Sequence, residues 1–232
     1  MVTTIGFDAD DTLWHNESIF ASTHERLRAL LGAYHDATTV DRALFATEMR
    51  NLERYGYGIK SFALSAIETA VELSGGQLRA DEVLAIIRLT QAMLDHPVEV
   101  LPEVADTVAA VGRTHRLLVI TKGDLRDQER KFERSGLSHS FAAIEIVSEK
   151  NRATYERVLR RHDVPPDEFL MVGNSIKSDV LPALELGAFA ASVPYPFTWE
   201  HERVDVTPDH PRYFALASIG DLPGLLQRLT RG

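Results

Sequence analysis

In the stretch TTIGFDADDTLWHNE, residues 3–17, Asp8, Asp10 and Asp11 crowd together where an apolar run ends. Neighbouring carboxylates raise one another's proton affinity, so folding alone gives no reason to place them there. A carboxylate can attack phosphorus and form an acyl-phosphate, which divides a hard displacement into two easier ones. Asp8, immediately after the run, is placed to be that nucleophile. Asp10 would face the same rim and could protonate a leaving alkoxide, then deprotonate the water that breaks the intermediate. The charge on the transferring group asks for fixed donors and cations, which Thr121, Lys150 and backbone N–H groups can supply. Magnesium takes oxygen ligands, often only one or two of them carboxylates, and would relieve repulsion between Asp8 and a phosphate.

These groups need a scaffold that brings distant segments to one edge. Short apolar runs recur at TTIGF (3–7), RLLVI (116–120), AAIEIV (142–147), FLMV (169–172), FAASV (189–193) and YFALA (213–217). Their lengths and weak alternation suit strands buried on both faces, as in a parallel sheet. Helical patterns separate the later runs over 124–135, 151–162 and 178–186. Strands alternating with helices predict an open α/β sheet.

Residues 15–100 break that rhythm, with four helical stretches and no convincing strand. The first carries Ile19, Leu27, Leu30 and Leu31, and the second Val40, Leu44 and Leu52. The third, with Leu64, Ile67 and Val71, stops at Gly75 and Gly76; Asp81 is placed to cap the fourth. So long an insertion exceeds an ordinary strand-to-helix connection. The expectation is a catalytic core of residues 1–14 and 101–232 with a helical cap domain of residues 15–100.

Ligands of parallel α/β sheets bind at the carboxyl ends of the strands. There the runs deliver Asp8-Ala9-Asp10-Asp11-Thr12, Thr121-Lys122-Gly123-Asp124, Ser148-Glu149-Lys150 and Gly173-Asn174-Ser175, with Asp179 following. Each motif alone is weak, since the first would also suit a turn with Asx hydrogen bonds. Their order, each at a strand end, is much more specific. Thr12, Lys122, Gly123, Trp14 and Tyr57 are candidates to touch substrate. Tyr57 lies in RYGYGIKSF (54–62), a candidate specificity loop, and PYPFTWEHE (194–202) is a second candidate rim.

With these motifs in place, the sequence resembles the haloacid dehalogenase-like hydrolase superfamily over nearly its whole length. Asp8, Asp10 and Thr12 match its DxDxT signature, Thr121 and Lys150 its second and third motifs, and GNSIKSD (173–179) its fourth. The run TKGDLRDQERKFERSGL (121–137) is similar to the TNGxxxxQxxKxxxxGL run of the nucleotidase and sugar-phosphate phosphatase branch. The resemblance implies a Rossmann-like core with Asp8 as nucleophile, Asp10 as general acid/base, Thr121 on the phosphoryl group, and magnesium held by Asp8, the Asp10 carbonyl and a fourth-motif carboxylate, with Asn174 and Asp179 the candidates in this sequence. It implies hydrolysis of a small phosphorylated metabolite. Asn174 stands where the fourth motif normally has Asp, which removes a negative charge from the metal site. It also favours the alternative of a metal-free 2-haloacid dehalogenase, whose first motif, however, carries Tyr in place of Asp10. A non-catalytic relative that binds a phosphorylated ligand is a third reading.

Composition narrows the partners. The balance of 34 acidic against 25 basic residues, a formal charge of −9, argues against nucleic-acid binding, which depends on neutralising phosphates. No apolar run approaches the roughly 20 residues of a membrane span, and MVTTIGFD shows no signal-peptide pattern. The absence of cysteine removes disulfides and thiolate chemistry, and a cytoplasmic monomer or homodimer is the expectation.

Overall fold

The computed structural model describes residues 1–204 and 206–231. They group into two compact units, one of residues 1–17, 98–122 and 129–232, the other of residues 18–97 and 123–128.

The first unit is built on a wholly parallel sheet in the order β3-β2-β1-β4-β5-β6. Its strands are β1 (Thr4–Phe7), β2 (Arg116–Lys122), β3 (Ala143–Val147), β4 (Phe169–Gly173), β5 (Phe189–Ser192) and β6 (Tyr213–Ala215). All six expected strands are present. β1 is central, with Phe7 level with Val119 of β2 and Val172 of β4. Alternate residues feed two separate cores, because successive side chains of a strand point to opposite faces. Ile5, Phe7, Val119, Leu170 and Val172 join one core with α5 (Val104–Val111) and α9 (Leu222–Arg231). Ile120, Phe169, Met171 and Ala190 join the other with α7 (Arg152–Arg161) and α8 (Leu181–Glu185). Helices on both faces are why the strand sequences read as continuous apolar runs.

The second unit contains α2 (Ala37–Tyr55), α3 (Ile59–Leu73), α4 (Ala80–Asp95) and most of α1 (Glu17–Leu31). Leu27, Leu31, Val40, Leu44, Ile59, Phe62, Ile86 and Met93 form its core. Residues 123–128, which open α6 (Leu125–Arg134), were expected in the sheet domain but group here. The reason is local: Lys60 Nζ lies 3.0 Å from both carboxylate oxygens of Asp124. A Cβ on Gly58 would also stand 2.9 Å from the Asp124 nitrogen, so Gly58 lets the two backbones approach.

Two helix starts differ from expectation. α4 is capped at Arg79, not Asp81, because the Glu82 carboxylate accepts the Arg79 N–H at 2.9 Å. The helix expected over 178–186 opens as a wide π-type turn, Ile176–Val180, before α8 begins. That turn carries part of the candidate site, where such irregularities often serve function.

Candidate active site

Asp8 continues β1 past its last residue, its N–H bonded to the Val172 carbonyl at 2.9 Å. Its side chain is buried beside Lys150, whose ammonium donates to Asp8 Oδ1 and, at 2.7 Å, to Asp179 Oδ1. The Lys150 side chain is only 2 % exposed. The lysine is delivered just before α7, which Asn151 caps by accepting the Thr154 N–H at 2.9 Å. Asp179 is held on both oxygens, since Oδ2 accepts the Ser175 N–H at 3.0 Å. A Cβ on Gly173 would stand 2.2 Å from that same oxygen, so only glycine admits the carboxylate over the end of β4. Tyr155 steadies the turn from below through a 3.0 Å bond from its hydroxyl to the Ser178 carbonyl.

One ammonium thus serves two buried carboxylates. Burial pushes the Asp8 carboxyl up to about 7, with Lys150 opposing and Asp179 and Asp10 adding to the rise. Burial also works against the Lys150 charge, but the Asp179 and Asp8 carboxylates outweigh it and hold the ammonium protonated. The cluster is short of one positive charge.

The donor set around Asp8 fits a hard cation. Asp8 Oδ2 and Asn174 Oδ1 lie 3.2 and 3.3 Å from the same Thr12 hydroxyl, which also accepts the Asn174 N–H at 3.0 Å. One carboxylate and one amide oxygen side by side suit magnesium, which keeps several waters. Asp179, also expected as a ligand, already uses both oxygens on Lys150 and the Ser175 N–H.

The remaining acids of the first motif separate by role. Asp10 Oδ1 accepts the Trp14 indole N–H at 2.8 Å and the Lys131 ammonium at 3.0 Å. Lys131 is itself held by Asn16 Oδ1 at 2.8 Å. Trp14, expected to line the site, is instead fully buried in the core against α5 and positions Asp10 through its ring nitrogen. Asp11 adopts a left-handed backbone at φ 64° and accepts the N–H groups of Asn16 and Glu17 at 2.8 and 3.0 Å. It caps the chain entering α1, and burial together with Asp10 raises its carboxyl to about 7. The crowding of three acids in the sequence therefore comprises two residues on the rim and one local cap.

Thr121 is buried at the end of β2, its hydroxyl donating to the Lys122 carbonyl at 3.2 Å. Lys122, a candidate substrate contact, turns its ammonium to Glu202 at 2.6 Å and to Ser178 at 3.0 Å. Gly123 and Tyr57 belong to the helical unit, Gly123 with a Cβ position 2.8 Å from Gln128 Nε2, Tyr57 in the connection between α2 and α3.

Sequence reasoning passed over Glu202. It accepts from Lys122 on Oε1 and from Ser175 and Ser178 on Oε2, at 2.7 and 2.6 Å. Burial raises its proton affinity, but Lys122 and the hydroxyls overcome this and hold the carboxyl down at about 2. A carboxylate with a depressed pKa stabilises the fold above its unfolded value of 4.5, and that contribution is lost as pH falls towards 2. Glu202→Gln should therefore lower the unfolding free energy by about 2–3 kcal/mol at pH 7, with the gap closing below pH 4. Urea titrations at pH 7 and pH 3 read this directly, and a gap of equal size at both would mean the charge is not its source.

A family profile described as haloacid dehalogenase-like hydrolase matches residues 2–187. A haloacid dehalogenase-like family hydrolase from Xanthomonas campestris superposes with a TM-score of 0.89 at 39% identity, covering 98% of this chain and 91% of that one. A 2-haloacid dehalogenase from Pseudomonas syringae superposes at 0.66 with 23% identity, covering 99% and 100%, which speaks for the fold alone. The N-acylneuraminate-9-phosphatase of Mus musculus is 28% identical over 121 residues, 49% of this chain and 46% of that protein.

Proposed function

This chain belongs to the haloacid dehalogenase-like hydrolase family and is an enzyme, and from that premise we propose that it hydrolyses a small phosphomonoester through an aspartyl-phosphate on Asp8. The observation that carries the reading is Asp10. A halide leaves without a proton, whereas an alkoxide needs one, and Asp10 stands two residues beyond Asp8, its Oδ1 fixed by Trp14 and Lys131. The partial match to a phosphatase of acylneuraminate 9-phosphate agrees with a small phosphorylated substrate.

In the reaction an Asp8 oxygen attacks phosphorus, the ester P–O bond breaks, and the leaving oxygen takes a proton from Asp10. The carboxyl that transfers this proton is positioned through Oδ1 by Trp14 and Lys131. Asp10 then takes a proton from water as the water oxygen attacks phosphorus, which breaks the Asp8 O–P bond and releases inorganic phosphate. Lys150 holds Asp8 in place and offers its charge to the phosphoryl oxygens, while Asp179 keeps that lysine oriented. Bound beside Asp8 and Asn174, magnesium would supply the missing positive charge and shield the nucleophile from the phosphate.

Phosphate release from p-nitrophenyl phosphate, with magnesium and with EDTA, tests the reading. Release that requires the metal supports it. Halide release from short 2-haloacids without phosphate release would instead favour the dehalogenase that Asn174 suggests. A second expectation follows from the donor set: Asn174→Asp adds a carboxylate beside Asp8 and should tighten magnesium binding about tenfold, measured by calorimetry. An unchanged dissociation constant would remove residue 174 from the metal's ligands.

Among the described residues no helix is long and apolar enough to cross a membrane. A cytoplasmic setting, a monomeric or homodimeric state and a covering role for the helical unit belong to the same proposal.

A further inference from the structure

The chain leaving β5 does something the sheet does not require. Val193 still bonds to the Gly173 carbonyl at 3.0 Å, so at that point the chain lies beside the end of β4. Within two residues Tyr195 reaches the loop after β1, its hydroxyl 2.7 Å from His15 Nδ1 and bonded to the Asp11 carboxylate. At Glu202 the chain is bound to Lys122, the last residue of β2, and to Ser175 and Ser178 after β4. Lys177 adds a 2.7 Å bond to the His201 carbonyl.

Because β1 lies between β2 and β4, a segment tied successively beside β4, β1 and β2 must run across the carboxyl ends of those strands. That is the rim on which Asp8 sits. The segment is also stiff where it starts, since Pro194 and Pro196 fix the backbone on either side of Tyr195. Its tethered ends are polar and its middle is aromatic. Phe197 lies 6.2 Å from the Tyr195 ring and is 49 % exposed, while the Trp199 and His201 rings are 4.9 Å apart. The Phe197 ring, covered on one side by Tyr195, leaves about half of its surface open on a strap whose fastenings are polar.

We infer that residues 195–202 are a fixed wall of the active site that selects substrates whose leaving group carries a flat, apolar portion, with Phe197 as the contacting ring. The inference rests on the phosphomonoester reading above. A strap anchored by charged and hydroxyl groups at both ends keeps its ring in place before substrate arrives, so little ordering is lost on binding. Stacking of one ring on another contributes about 0.5–1.5 kcal/mol, which corresponds to roughly two- to twelvefold in affinity.

The test compares 1-naphthyl phosphate with acetyl phosphate, whose leaving group is too small to reach across a wall. For Phe197→Ala, KM for the naphthyl ester should rise about five- to tenfold more than KM for acetyl phosphate, with kcat for both little altered. Phe197→Tyr, which keeps the ring, should retain the wild-type preference. An equal change for both substrates in Phe197→Ala, or loss of preference in Phe197→Tyr as large as in Phe197→Ala, would overturn the wall. If wild type releases phosphate from neither compound, the phosphomonoester reading fails separately. The wall is then read by calorimetry with naphthylphosphonate against methylphosphonate, where a preference lost in Phe197→Ala upholds it. Equal binding of the two, or binding of neither, overturns it.

Discussion

Asp8→Asn should abolish phosphate release, by about ten-thousandfold or more in kcat, and at the same time make the protein more stable. The first half follows from the reaction, since an amide cannot form the acyl-phosphate. The second follows from burial. The Asp8 carboxyl is pushed up to about 7 from 3.8, so above pH 7 the fold holds a charge it disfavours. The folded-state pKa lies above the unfolded one, hence the cost is full above pH 7 and disappears as pH falls to about 4. The amide removes that cost while leaving Lys150 its second partner, Asp179. In EDTA at pH 8 the variant should therefore melt higher than wild type, by an increment on the order of a few kcal/mol at most, and the two should converge at pH 4. Magnesium should narrow the difference from the other side, by stabilising wild type through binding. A variant that is inactive but also less stable at pH 8 would mean that Lys150 needs both carboxylates, and the account of Asp8 as a strained nucleophile would fall.

The strands and the order of the four motifs were legible because both depend on local pattern. An apolar run buried on two faces looks the same wherever it sits in a sheet, and a motif at its end inherits its place from the topology. What the sequence concealed are pairings over long separations. Lys131 is bonded to Asp10, and Glu202 to Lys122, across stretches for which charge and periodicity give no register. The family-like run containing Gln128 and Lys131 was a signal for the first pairing, but it named a position without its partner. Trp14 misled because an aromatic ring beside an acidic motif suggests a binding surface, whereas this indole serves as a buried donor. Asp11, without a role of its own when the acidic cluster is read from sequence, holds backbone N–H groups. Helices α5 and α9 went unread, though Val104 and Val108, and Leu222 and Leu226, sit at helical spacing. The wide turn at Ile176–Val180 also departs from periodic reading, because Ser175 and Asp179 set its geometry through side-chain bonds.

Lys150→Met should be the most destabilising single change in the sheet unit. Methionine nearly matches the length of the lysine stem, so packing is largely preserved and the loss is electrostatic. Two buried carboxylates, Asp8 and Asp179, would then be left without the cation that pairs with both. Removing one partner of a buried ion pair typically costs about 3–5 kcal/mol, far more than the pair contributes against an apolar replacement of all its members. Activity should fall too, since the charge that faces the phosphoryl group is gone. Stability and chemistry can be separated by the double variant Asp8→Asn with Lys150→Met. Deleting one of the two repelling carboxylates should restore at least half of the lost unfolding free energy while leaving activity at zero. The coupling also has a pH signature, because protonating either acid relieves the same repulsion: the deficit of Lys150→Met should shrink steadily between pH 8 and pH 5. Urea titrations of the four proteins of that cycle measure both effects. Additive effects, with Asp8→Asn raising the unfolding free energy by no more in the Lys150→Met background than in wild type, would show that Lys150 supports the fold through packing and not by holding two acids at one site.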